Sequence, residues 1–166
     1  MELRRRCESV IKDWCKSAEN KALLVKGARQ IGKTHLIRRC LHEEERDVFE
    51  INLIEFPDAV KVLQNAHTVD ELIMGFSTLK PHNFQKGNTV IFIDEVQRYK
   101  EMVTKIKFLV GDGSFRYVLS GSLLGVELTN LSSAPVGYMT ILDMYPLDFM
   151  EFLQIAKVGE DIIENL

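Results

Sequence analysis

The sequence predicts an α/β fold, a three-layer sandwich in which a parallel β-sheet is covered by helices on both faces. Short apolar runs of strand length alternate along the chain with segments whose apolar residues recur every three to four positions. That rhythm is the pattern of strands alternating with amphipathic helices. The strand-like runs are also apolar at most of their positions, as buried strands of a parallel sheet must be when helices cover both faces.

Each element follows from its own residues. Leu3, Cys7, Val10, Ile11 and Trp14 recur at helical spacing and predict an opening amphipathic helix. Ala22 to Lys26 is a short apolar run ending at a glycine, a buried first strand. Leu36, Ile37, Cys40 and Leu41 mark one face of a helix that runs out in the charged segment Glu43-Glu44-Glu45-Arg46. Val48 to Ile54 alternates as a second strand, and Ala59 to His67 and Val69 to Phe76 read as helices. Pro81 and Gly87-Asn88 mark a turn before a third strand, the β-branched run Thr89 to Ile93. Val103 to Val110 is helical and is stopped by Gly111-Asp112-Gly113. Arg116 to Ser120 and Tyr138 to Met144 give the fourth and fifth strands, and Pro146-Leu147-Asp148 opens a last helix from Phe149 to Ala156. No internal repeat or low-complexity linker interrupts the series.

The bulk composition sets bounds on function. The 166 residues suit one domain with a single proper core. A net charge of −3 gives no global push toward nucleic acid. No apolar run approaches the roughly 18 residues of a membrane span, and the basic start Met-Glu-Leu-Arg-Arg-Arg has no apolar stretch behind it, so neither a membrane partner nor a signal peptide is expected. Cys7, Cys15 and Cys40 are odd in number and lack paired spacing. They fit a reducing cytoplasm and the role of small apolar fillers better than a disulfide framework or a zinc site.

Three segments carry chemistry. Gly27-Ala28-Arg29-Gln30-Ile31-Gly32-Lys33-Thr34 matches the phosphate-binding pattern G-x-x-x-x-G-K-[ST] in full, with His35 next on the helix that follows. A buried strand enters it and an amphipathic helix leaves it, which is the context such a loop needs. Glycines let consecutive N–H groups turn toward phosphate oxygens, and the helix N-terminus adds its partial positive charge. Lys33 would reach the β- and γ-phosphates and the Thr34 hydroxyl would ligate Mg2+. Val90-Ile91-Phe92-Ile93-Asp94-Glu95 is a buried strand ending in two acids, at the rim where ligands bind in open α/β sheets. Asp94 is placed to hold the same Mg2+, and Glu95 to orient or deprotonate a water. A water-activating carboxylate favours hydrolysis over transfer to a small-molecule acceptor. Tyr117-Val118-Leu119-Ser120-Gly121-Ser122 ends a strand in small hydroxyl residues. If that strand lies between the other two, either Ser120 or Ser122 would sense the γ-phosphate or the attacking water.

These segments together resemble the AAA+ and related ATPases with a phosphate-binding loop, an Asp-Glu pair and a sensor on the next strand. More narrowly, Leu24 to Thr34, Asp94-Glu95-Val96-Gln97 and Pro146-Leu147-Asp148-Phe149-Met150-Glu151-Phe152 resemble a prokaryotic AAA-type branch with GARQ-x-GKT, DE-x-Q and PL-x-F-x-EF segments. The resemblance implies a P-loop NTPase core with strand order 5-1-4-3-2 and ATP with Mg2+ as ligands. It assigns Lys33, Thr34, Asp94, Glu95 and a Ser120 or Ser122 sensor to the site. Gln97 comes with the motif and reads as a surface glutamine.

Many relatives carry Gly-Arg before the fifth strand, where this chain has Gly137-Tyr138, so an arginine expected to sense nucleotide is missing there. Relatives also continue into a C-terminal region. Residues 1–166 are therefore read as one ATPase core domain, a fragment without lid or C-terminal domain, with a natural short form as the alternative. The expected function is a Mg2+-dependent ATP-binding and ATP-hydrolysing module, slow alone because an arginine supplied by a partner or by self-association accelerates such sites by roughly 10³ to 10⁵. Arg29, Arg98 and Arg116 are the internal alternatives, Arg29 by its place in the loop. A nucleotide-gated switch with incidental turnover is the second expectation. A DNA-associated ATPase, resting on Arg4-Arg5-Arg6 and Arg38-Arg39, is the third, although charge runs more often form solvated faces. No Asn-Lys-x-Asp segment supports guanine recognition.

Overall fold

The computed structural model describes residues 4–122 and 137–155. Helix α1 (Glu8–Lys16) leads into β1 (Ala22–Lys26), then α2 (Lys33–Glu43), β2 (Asp47–Asn52), α3 (Asp58–Asn65) and α4 (Val69–Leu79). Next come β3 (Thr89–Asp94), a 3-10 turn (Val96–Arg98), α5 (Met102–Asp112), β4 (Arg116–Gly121), β5 (Met139–Asp143) and α6 (Phe149–Ile155). Leu3 and Ala156, assigned to the first and last helices from sequence, lie outside the described residues.

All five strands form one parallel sheet in the order β2-β3-β4-β1-β5. Read from the other edge this is 5-1-4-3-2, the expected P-loop order. Alternate residues of each strand face opposite layers. Leu23, Val25, Val90, Phe92 and Val118 pack against Ile11, Trp14 and Cys15 of α1 and Leu36, Ile37, Cys40 and Leu41 of α2. Leu24, Ile91, Ile93, Tyr117 and Leu119 pack on the other face against α3, α4 and α5, through Leu63, Leu72, Phe76, Ile106 and Leu109 among others. Cys15 and Cys40 are buried in the first of these layers, and burial pushes the Cys40 thiol up to about 12, which suits inert filler. No helix among the described residues is long and apolar enough to cross a membrane.

Where element ends differ from expectation, side chains supply the reason. The chain leaves β2 after Asn52, short of the predicted Ile54, because the Asn52 side-chain carbonyl accepts the N–H groups of Ile54 at 2.8 Å and Glu55 at 3.2 Å. That is an asparagine turn replacing strand pairing. Helix α5 runs through Gly111 and closes only at Gly113, whose φ of 77° suits a residue without a Cβ. Helix α4 starts where predicted, in a reciprocal cap: Thr68 Oγ1 accepts the Glu71 N–H at 3.1 Å, and the Glu71 carboxylate accepts the Thr68 N–H. Thr68→Ala is expected to cost about 1 kcal/mol in urea denaturation, and an unchanged midpoint would show the cap to be idle.

Candidate functional site

Parallel pairing places the C-terminal ends of β1, β3 and β4 side by side, since Val25 pairs with Ser120 and Ile93 with Leu119. The loop from Gly27 to Gly32 leaves β1 at this rim, and α2 begins at Lys33. Gly32 caps α2 at φ 90° and has no side chain to bond the first N–H groups of the helix. The helix N-terminus therefore keeps donors and a partial positive charge for an anion. Gly27 has no room for a side chain, because a Cβ there would meet the Met144 carbonyl oxygen at 2.1 Å. The loop is thereby pressed against the end of β5.

Lys33 Nζ donates to the carbonyls of Gly27 at 3.0 Å and Ala28 at 2.6 Å, which points the ammonium back across the loop. Burial lowers the Lys33 pKa, while the carboxylates of Glu95 and Asp94 pull it up again. Thr34 Oγ1 donates to Asp94 Oδ2 at 2.9 Å, joining groups 60 positions apart in the chain. Asp94 is almost wholly buried, and its other bonds account for its orientation. Asn52 Nδ2 donates to Oδ2 at 3.2 Å, and the Ser120 hydroxyl and the Glu95 N–H donate to Oδ1. The hard oxygens of Thr34 and Asp94 suit Mg2+. Among the described residues no group of three or more His, Cys, Asp or Glu would hold a metal by itself.

An open cleft of about 520 Å³ sits over these groups. Arg29, Gln30, Gly32, Lys33, Thr34, His35 and Arg38 line it, together with Ile54 and Glu95. Among the described non-glycine residues, Gln30, Glu45 and Glu95 have positive φ, and two of these three line the cleft. Such conformations are costly and persist only where surrounding contacts fix them. At Glu95 (φ 59°) the N–H bond to Asp94 Oδ1, 2.9 Å long, does so.

The other sequence-derived residues take other places. Ala28 is exposed and contributes a carbonyl, and Ile31 turns its side chain into the α1–α2 layer. Neither Ser120 nor Ser122 lines the cleft: Ser120 is fully buried on Asp94, and Ser122 offers its backbone N–H to Gln97 Oε1 at 3.1 Å. Gln97 is not a plain surface residue. It is half-buried and bonded at both ends of its amide, to Ser122 and to Glu95. Arg116 does not reach the site. At the start of β4, its guanidinium stacks on Trp14 at 3.9 Å and bonds the carbonyls of Trp14 and Cys15.

Tyr138, where an arginine was expected, precedes β5 at the opposite edge of the sheet, its carbonyl accepting the Ala22 N–H at 2.9 Å. A side chain there starts a strand length, roughly 16 Å, from the rim. The missing arginine therefore takes nothing from this cleft. Of the basic clusters, Arg5, Arg38 and Arg39 are each ion-paired, to Glu151, Glu50 and Glu8.

Sequence reasoning missed two parts of the site. Asn52 is opposite Asp94 in the β2–β3 register, and only the strand order reveals that. Arg5 donates to the Ile31 carbonyl of the loop at 3.2 Å, to the Tyr145 carbonyl at 2.6 Å and to the Glu151 carboxylate at 3.0 Å. The Pro146 to Phe152 segment was the only pointer to that contact.

Comparison with known proteins agrees with this architecture. A protein-family model described as an AAA domain matches residues 19–153. No curated protein matches significantly. Among solved structures, the S. cerevisiae Hsp104–ADP complex is similar in fold, with a TM-score of 0.59 at 14% identity. The match covers 95% of this chain and 24% of that one, so this chain spans about a quarter of its length.

Proposed function

The chain belongs to the AAA domain family, and from that premise we propose that it binds ATP with Mg2+ and hydrolyses it in the cleft between the phosphate loop and Asp94-Glu95. The observation that carries this reading is the hydrogen bond from Thr34 to Asp94, which joins the loop hydroxyl to the strand-end acid beside Glu95.

The loop N–H groups and Lys33 would grip the phosphates. Bound Mg2+, held by Thr34 and Asp94, would supply charge neutralisation at the phosphates. Asn52 and Ser120 fix the Asp94 carboxylate by donating to its two oxygens. Glu95, which lines the cleft, would orient a water or take its proton. Arg29 lines the cleft and adds positive charge. A further arginine from a partner or a second copy would raise turnover by roughly 10³ to 10⁵, so the lone chain should hydrolyse slowly.

A second reading, a nucleotide-gated switch, is favoured by the Arg5 bridge, which connects the Ile31 carbonyl of the loop to Glu151 on α6. Nucleotide-dependent movement of the loop would then be felt at α6.

Titration calorimetry tests the common premise. Mg·ATP should bind the wild-type chain, and Lys33→Ala should weaken binding roughly ten- to hundredfold, the weight of a charge-assisted contact. Equal heats from both proteins, or none from either, would sink the proposal.

A further inference from the structure

We infer that Gln97 is a positioning residue for Glu95, tying its carboxylate to the backbone at the end of β4. The assignment rests on the ATP-hydrolysis reading above and goes beyond it by naming what holds the base.

The Gln97 amide is used at both ends. Nε2 donates to Glu95 Oε2, and Oε1 accepts the Ser122 N–H at 3.1 Å. The surroundings leave the amide little freedom. A Cβ at Gly121 would lie 2.6 Å from Gln97 Oε1 and 3.1 Å from Val96 Cγ2, so the chain approaches Gln97 closely only because residue 121 is glycine. Val96, between the two polar residues, is buried in the core and anchors the turn.

Glu95 itself leaves the sheet with a left-handed backbone, so its direction is not set by strand geometry. Its N–H is fixed by Asp94 and its carboxylate by Gln97, at opposite ends of the residue. A neutral amide suits the task. It gives a charge-assisted hydrogen bond to the carboxylate, yet brings no cation that would compete for the charge a base needs. The far end of the same amide holds Ser122, two residues beyond the Ser120 that bonds Asp94. Metal-side acid and water-side acid are thus both referenced to one strand end, and a displacement of the β4 end would move both.

The test uses Gln97→Met, which keeps length and packing but removes both hydrogen bonds. Gln97→Glu keeps an acceptor for Ser122 and sets a like charge against Glu95. Single-turnover hydrolysis of Mg·ATP should slow by about ten- to hundredfold in both variants, the scale of a misplaced reacting group. Mg·ATP affinity should stay within about twofold of wild type. Adding Gln97→Met to Glu95→Gln should produce no further loss, and amide exchange at Ser122 should accelerate in Gln97→Met.

Unchanged turnover in Gln97→Met, with Glu95→Gln inactive, would overturn the assignment and leave the proposed function intact. Faster turnover would make the contact an inhibitory latch and overturn it too, as would a loss confined to affinity. Absence of ATP binding by the wild-type chain would remove the proposed function and this assignment together.

Discussion

Replacing Glu95 by Gln is expected to slow ATP hydrolysis by about 10²- to 10⁴-fold while leaving Mg·ATP affinity nearly unchanged. The substitution is nearly isosteric. The left-handed backbone at residue 95 and its N–H bond to Asp94 Oδ1 do not depend on the carboxylate. Gln97 can still donate to the new side-chain carbonyl, so the cleft keeps its shape. What disappears is the only carboxylate lining the cleft among the described residues, since Asp94 is buried beneath it and committed to Thr34, Asn52 and Ser120. Binding by the phosphate loop and by Thr34 with Asp94 is untouched. Single-turnover hydrolysis and calorimetry on the same preparation check both halves. A variant that hydrolyses ATP at the wild-type rate would remove Glu95 as the base. The variant also separates the two readings: an energy-coupled machine should stall with ATP bound, whereas a switch should stay active or lock on.

The sheet was legible because β1, β3 and β4 carry the unbroken apolar runs Ala22–Val25, Val90–Ile93 and Tyr117–Leu119, and only a strand covered on both faces tolerates that. Phosphate-loop and acidic-strand residues were legible for a related reason: each lies within a few positions of a strand end, so local pattern alone places it at the rim. What stayed hidden depends on pairing between distant segments. Asn52 is an ordinary polar residue at the end of an alternating strand until the register sets it opposite Asp94. Gln97 looked like surface because the 3-10 turn that folds it under Gly121 has no periodicity to read. An arginine in place of Tyr138 would be no contact for nucleotide bound in this cleft. In a parallel sheet, a residue preceding a strand lies at the edge away from the ligand rim, and that follows once β5 is seen to run beside β1.

Glu151→Ala is expected to destabilise the protein by about 3–5 kcal/mol at neutral pH, the cost of leaving a buried cation without its partner. The Arg5 and Glu151 side chains are 7% and 6% exposed, so water cannot replace what is lost. Glu151 does more than neutralise Arg5. Its carboxylate accepts the N–H groups of Arg6 at 2.9 Å and Asp148 at 3.1 Å, while its own N–H donates to Asp148 Oδ1 at 2.8 Å. The Asp148–Glu151 pair is a reciprocal cap that starts α6. Burial pushes the Glu151 pKa up, but the Arg6 and Asp148 N–H groups and the Arg5 guanidinium outweigh it and hold the value below the ordinary 4.5. A carboxyl whose folded pKa is depressed contributes stability that is complete above its unfolded pKa and fades as pH falls through the folded value. The gap between wild type and Glu151→Ala in urea denaturation should therefore be full at pH 7 and narrow below about pH 4.5. Glu151→Gln, which keeps an acceptor for the cap, should fall between the two. Because Arg5 also holds the Ile31 carbonyl, ATP affinity distinguishes a clamp on the phosphate loop from a remote structural brace. If the loop depends on the pair, Glu151→Gln should weaken Mg·ATP binding at temperatures where it remains folded. Unchanged affinity in that folded variant would confine the pair to stability and remove the observation that favours a switch.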